Sequence, residues 1–325
     1  MRELFAHGGK MVSYHCRMKR NETGASGMKN TKSKLFAICF VLILGSSALP
    51  QETLSASQKT FLWKIQSKTN TVYVLGSLHY SKKEIYPLSE KIEKAFSESE
   101  ILVVEADVND TKKMDLQKLM ERAFYQENDT LEKHVSTETY ERVVKEAGGL
   151  GIPIELIKRQ KPWFLAMTLV ALESLKLGFD PNLGIDKYFL SKAEGSKKIL
   201  ELESLDYQLG LLSGFSDKDQ ELLLLYTLND LKILEQESEK LTKAWTTGDT
   251  QAMESILTRS VSEDKRLSPI FEKVVYERNG KMASRIEEFL QSKETYFVIV
   301  GAGHLVGSRG IIEILKRKGF LVEQL

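Results

Sequence analysis

Two segments of the chain share one pattern, an apolar β-rich run that ends in Gly-x-x-His. Thr71-Val-Tyr-Val-Leu75 leads into Gly76-Ser77-Leu78-His79, and Tyr296-Phe-Val-Ile-Val300 leads into Gly301-Ala302-Gly303-His304-Leu305. Short apolar runs rich in β-branched and aromatic residues read as strands buried on both faces. Small residues at the carboxyl end let backbone or ligand approach closely. In open α/β sheets that end is where ligands sit. A lone histidine is more often a satisfied structural residue, but two at the same structural position point to a shared site. A third run, Ile101-Leu-Val-Val104, passes directly into Glu105-Ala106-Asp107. If the three strands are parallel neighbours, His79, Glu105 and His304 meet at one edge of a sheet.

The rest of the chain fits an α/β fold with a central mixed sheet and a helical insertion. Phe61–Ile65 and Thr71–Leu75, joined through Ser67-Lys-Thr-Asn70, read as a hairpin. Ile92, Ala95 and Phe96 recur at helical spacing and give a crossover to the Ile101 strand. Residues 109–150 read as charged helices. Lys161-Pro162-Trp163 opens an apolar helix that ends at Gly178, and a helix to about Ala193 follows Gly184-Ile185-Asp186. Lys198–Leu202 is a strand that ends in Glu203. Residues 206–293 carry no clear strand and read as a helical insertion, with an apolar stripe at Met282-Ala283, Ile286 and Phe289-Leu290. A helix from Gly310 to Lys318 and a closing strand from Phe320 complete the chain. His134 lies in a loop, where a surface or capping role is the plainer reading. Trp163 and Trp245 are expected in the core.

Charge is distributed unevenly. Formal net charge is +1, so nothing calls for a nucleic-acid partner. Residues 1–34 nevertheless hold eight Lys/Arg against Glu3 and Glu22, which leaves the remainder mildly acidic. Lys29, Lys32 and Lys34 precede the apolar run Leu35–Leu44, and small residues at Gly45–Ala48 and Leu54–Ala56 follow. That is the layout of a secretory signal peptide, with Met28 a candidate start. The run is about half of the ~20 residues a membrane span requires, so membrane association would come only through an uncleaved leader. Residues 1–56 are therefore read as extension and leader, and 57–325 as the working domain in a secreted or periplasmic protein. Cys16 and Cys39 both precede the cleavage candidates, so the mature chain would hold no cysteine. That removes disulfides, thiol nucleophiles and cysteine-based zinc sites from consideration.

Two histidines and a glutamate are a common catalytic metal set, suited to zinc, manganese or cobalt. A metal-bound water becomes a hydroxide source at neutral pH. The metal-free competitor uses one histidine as general base, with Glu105 orienting it or sharing its proton. The plain alternative is that Glu105 caps a helix and the histidines bond loop backbone. Asp186 and Glu203 are further ligand candidates, or partners that orient an imidazole. Arg278-Asn279 could bind an anion or stabilise an oxyanion, and a surface salt bridge is the simpler reading of Arg278.

Gly76-Ser-Leu-His79 and Gly301-Ala-Gly-His304-Leu305 resemble motifs of the TraB/GumN family, which includes the Wnt-cleaving Tiki proteases. Glu105, Lys161-Pro162-Trp163, Gly184-Ile185-Asp186, Leu202-Glu203 with Gln208, Trp245 with Gly248-Asp249, and Arg278-Asn279 with Met282-Ala283 match it in order. The resemblance covers roughly residues 61–325. It implies an α/β core distantly similar to erythromycin esterases. It also implies a metal-dependent hydrolase or protease acting on a peptide or protein, with His79, Glu105 and His304 at the site. Two alternatives stay open: a metal-free esterase-like hydrolase on the same residues, and a peptide-binding protein without turnover.

Overall fold

The computed structural model describes residues 59–109 and 115–325. The expected leader, Met28 and both cysteines lie outside the described residues. Six strands form one mixed sheet: β1 (Leu62–Gln66), β2 (Thr71–Ser77), β3 (Ile101–Val104), β4 (Lys198–Glu201), β5 (Tyr296–Gly301) and β6 (Leu321–Gln324). Their order across the sheet is β4-β3-β5-β2-β1-β6. β4, β3, β5 and β2 run parallel, and β1 pairs antiparallel with both β2 and β6. The α/β class and the β1–β2 hairpin are as the sequence implies. The turn closes on itself through Ser67 N–H to Asn70 O at 3.0 Å. It is also tied to a helix end, because Ser67 Oγ donates to Leu290 O and Asn70 Nδ2 to Phe289 O.

β5 explains why its sequence is apolar throughout. Phe297, Val298, Ile299 and Val300 are all fully buried. Phe297 packs on Phe96 and Phe189, which come from helices Glu90–Glu98 and Ile185–Ala193. On the other face Tyr296 stacks on Phe289 of helix Glu277–Gln291 at 4.4 Å. That helix buries Met282, Ala283, Ile286, Phe289 and Leu290, the stripe visible in the sequence. Trp245 enters the sheet core and donates from its indole to Gly76 O at 2.6 Å.

Residues 205–291 form a succession of helices between β4 and β5. They do not make the helical body alone. A second core joins Leu131, Val143, Leu165 and Leu169, from the β3–β4 connection, to Leu224 and Leu228 of helix Asp217–Asp230. Neither segment is apolar on enough faces to be buried by itself, so each covers the other. Among the described residues, no helix is long and apolar enough to cross a membrane. Replacing the fully buried Leu169 with Ala should cost about 2–5 kcal/mol. Urea unfolding checks this, with the midpoint falling and the slope unchanged if the second core belongs to the same cooperative unit.

Candidate active site at the strand ends

The parallel strands bring their carboxyl ends to one edge. β5 lies between β2 and β3, with Ser77 opposite Gly301 and Val104 opposite Ile299. Glu105, one residue past β3, therefore reaches across and accepts the Gly301 N–H at 2.5 Å. The β3–β4 ladder continues beyond the strands, with Leu202 N–H bonding Val104 O and Glu203 N–H bonding Glu105 O at 2.8 Å. The two carboxylates thus emerge side by side.

Arg278 holds them. It sits in the first turn of helix Glu277–Gln291, just after a π-helical turn at Glu272–Tyr276, a feature frequent at functional sites. Its Nη2 donates to Glu105 Oε2 at 2.7 Å and to Glu203 Oε2 at 2.8 Å. Its Nε donates to both Glu203 oxygens at 3.1 and 3.0 Å, and its Nη1 to Val274 O at 2.9 Å. Gln208 bridges the same pair, donating to Glu105 Oε2 at 3.2 Å and Glu203 Oε2 at 3.1 Å. The guanidinium is buried and directed at carboxylates, which is neither the surface salt bridge nor the open anion binder considered from the sequence.

The histidines flank this cluster. His79 follows β2, and 64% of its side chain is accessible, so a substrate or ion can reach the ring. Its Nδ1 pairs with Asp186 Oδ2 at 2.9 Å, while Asp186 Oδ1 accepts from Ser77 Oγ at 3.1 Å. Asp186 lies in the first turn of helix Ile185–Ala193, where negative charge suits the helix dipole. The helix begins at Gly184, where an added Cβ would stand 2.4 Å from His79 O, so the helix start presses directly on the histidine backbone. His304 is buried and placed by a 3-10 turn, Ala302–His304. Its Nδ1 lies 2.6 Å from Asn279 Oδ1, and its Nε2 lies 3.7 Å from Glu105 Oε1, too far for a hydrogen bond.

Gly301 marks the point of convergence. A Cβ there would lie 3.3 Å from Glu105 Oε1, 3.6 Å from His304 Cδ2 and 3.8 Å from His79 Nε2. Among the described residues, no group of three or more His, Cys, Asp or Glu is already spaced to hold a metal ion. The donor chemistry nevertheless fits one. Both imidazoles have Nδ1 held by a side-chain oxygen, which leaves Nε2 toward the cleft, the arrangement common behind metal-bound histidines. Glu105, Glu203 and Asp186 carry three formal negative charges against one on Arg278, so once His79 gives up its own proton a dication would balance the remaining excess.

Protonation follows from the same contacts. Burial pushes the Glu105 carboxyl up, but the facing charges of His304, Arg278 and His79 and the Gly301 N–H hold it below its usual range. His304 itself is lowered, chiefly by burial. The protein packed around His79 acts to lower it even though much of the ring is accessible, yet the hydrogen bond and charge of Asp186, with the charge of Glu105, raise it to about 9.

His79, Glu105, Glu203, Arg278 and His304 thus gather at one edge, with Asp186 joined through His79. His134 does not; it pairs with Asp129 at 2.7 Å and stacks on Tyr125. Ser77 escaped the sequence reading, although it stands inside the first Gly-x-x-His motif. Ser77 ends β2, and its Oγ and the His79 Nδ1 each bond one oxygen of the same Asp186 carboxylate.

Residues 61–324 match a family profile described as the TraB/PrgY/gumN family. The chain belongs to that family. The TraB/PrgY/gumN relatives include the uncharacterized protein YbaP of Escherichia coli (strain K12), 26% identical over 250 residues that cover 75% of this chain and 87% of that protein. A protein named metalloprotease TIKI homolog from Amphimedon queenslandica is 25% identical over 350 residues, 87% of this chain and 66% of that one. Metalloprotease TIKI1 of Xenopus tropicalis is 20% identical and covers 88% and 67% respectively. No solved structure matches.

The raised His79 makes a pH prediction. Its folded pKa of about 9 exceeds the unfolded value near 6.5, so the His79–Asp186 pair stabilises the metal-free fold fully below about pH 6.5 and is lost as pH rises through about 9. The melting-temperature gap between the parent and Asp186→Asn should be widest near pH 6 and narrow above pH 9. A gap independent of pH would show that Asp186 does not raise His79.

Proposed function

We propose that the protein is a metal-assisted hydrolase that cleaves a peptide or amide bond in a peptide or protein outside the cytoplasm. The observation that carries this reading is the convergence of two back-bonded imidazoles and Glu105 on Gly301. Relatives named metalloproteases support the reaction class, and the leader-like sequence supports a secreted or periplasmic location. His79 and His304 would hold the ion through Nε2, with Glu105 as third ligand or proton acceptor. Manganese, cobalt and zinc all suit this nitrogen and oxygen set. When bound, such an ion polarises a carbonyl and lowers the pKa of water. The protein's own contributions are separable. Asp186 orients His79. Arg278 and the Gly301 N–H keep Glu105 ionised and aimed. The buried strand ends shelter His304 and Glu105 from bulk water.

One observation favours a second reading, metal-free hydrolysis on the same residues. The two histidines have pKa values pushed apart, His79 to about 9 and His304 downward. Such divergence is how acid and base roles are assigned in proton-transfer sites. His79 would then supply a proton, and the neutral His304 would accept one.

Metal content separates the readings. The purified full chain should carry about one transition ion, and the His79→Ala/His304→Ala double variant none. Peptide-library turnover should fall on the order of 10²–10⁴-fold in the variant and be lost by the parent in chelator. Turnover that survives chelation with no metal present would favour the second reading. A peptide bound and recovered intact would sink both.

A further inference from the structure

The two histidines are backed by different chemistry. Asp186 behind His79 is an ionised carboxylate that can only accept. Asn279 behind His304 is a neutral amide with one accepting and one donating end, and it is fully buried. Which end faces His304 is decided by its other partner, because Asn279 Nδ2 lies 2.8 Å from the carbonyl of Arg309. A carbonyl cannot donate, so the atom facing it is the NH2 group, and the atom facing His304 must be the oxygen. His304 Nδ1 must then carry the proton, and Nε2 is left with its lone pair toward Glu105 and the cleft.

The pinning carbonyl is itself fixed. The Arg309 guanidinium forms a two-pronged ion pair with Glu272, at 2.7 and 2.5 Å, and lies over the Tyr276 ring at 4.0 Å. Glu272 and Tyr276 begin and end the π-helical turn that precedes Arg278-Asn279. The loop after His304 and the turn before Asn279 therefore meet both through the solvent-exposed Arg309–Glu272 pair and through the buried Asn279 hydrogen bond to Arg309 O.

We propose that Asn279 is a positioning residue that sets the tautomer of His304, with Arg309 O as the pin that fixes the Asn279 amide. The tautomer stands on the geometry alone. Its value for holding a metal or accepting a proton rests on the hydrolase reading above.

The test uses the full chain, metal-free, near pH 7.5, with 15N-edited long-range spectra of the imidazoles. In the parent, His304 should appear with Nδ1 protonated and Nε2 bare. Asn279→Leu removes both hydrogen bonds, and His304 should swing toward the Nε2–H form that a free imidazole side chain favours. Asn279→Asp keeps an acceptor and should keep Nδ1 protonated, while its added charge, like that of Asp186 behind His79, favours protonation of Nε2 as well. His79 serves as the internal control and should not change. Zinc titration should then show Asn279→Leu weakened by about 10–100-fold. A parent His304 with Nε2 protonated overturns the proposal, and so does an Asn279→Leu chain that retains Nδ1–H. If Asn279→Leu does not fold, the parent spectrum decides the matter: Nδ1–H with a bare Nε2 supports the proposal, and Nε2–H overturns it. A parent that shows the expected tautomer but binds no zinc supports the role of Asn279 and counts against the metal reading alone.

Discussion

The site depends on a buried ion cluster in which one guanidinium holds two carboxylates that would otherwise repel. Glu105 and Glu203 leave adjacent parallel strands and are joined by a backbone hydrogen bond, so the sheet itself forces them together. Both side chains are less than a tenth exposed. Two like charges that close and that dry cannot stand without a cation. Removing one partner of such a cluster typically costs about 3–5 kcal/mol, because the remaining charge stays buried and unpaired. Arg278 therefore does more than join two elements. It makes the parallel arrangement of Glu-bearing strand ends tolerable.

That requirement reaches outward through the fold. Arg278 must arrive at the strand ends from a helix packed on the sheet, and Met282, Ile286 and Phe289 provide the packing. The wide turn at Glu272–Tyr276 brings Val274 O to Nη1 and leaves Nε and Nη2 for the carboxylates. Gln208 comes from helix Leu205–Ser213, which has no fully buried residue. Its reach to both glutamates fixes that helix over the site. The helices between β4 and β5 are thus tied to the sheet by charge at one end and by apolar contact along the rest.

Much of this was legible in the sequence, for identifiable reasons. Buried strands leave apolar runs, so β2, β3 and β5 are visible in the sequence, and the small-residue exits of β2 and β5 mark the site. Strand order was less accessible. β5 enters between β2 and β3 after a long helical excursion, and only the site hypothesis suggested that they are neighbours. The second core is not legible in the sequence, because Leu165 and Leu224 belong to segments that each look like an ordinary helix; their pairing is a tertiary choice. The burial of Arg278 is hidden from the sequence for a related reason. Sequence shows a cation at a helix start, but its burial depends on two glutamates distant in the chain. The part played by Ser77 is not legible either, since its partner, Asp186, comes from a helix that only the fold brings near.

The same logic explains why the site needs glycine at its centre rather than a larger residue. His79, Glu105 and His304 reach Gly301 from three different strand ends, and no local motif sets their spacing. What sets it is how closely the backbones can pack. At Gly301 a side chain would fill the space onto which the three groups look, and at Gly184 it would collide with the His79 carbonyl. A zincin-type helix fixes two ligands by helical period alone. Here the spacing comes from sheet register, one buried arginine and two clearances, so errors in packing far from the edge are transmitted to it. That is consistent with polar partners standing behind each functional group: Asp186 behind His79, Asn279 behind His304, and Arg278 with Gln208 behind Glu105. Each removes a rotational freedom that a locally encoded motif would not have left open.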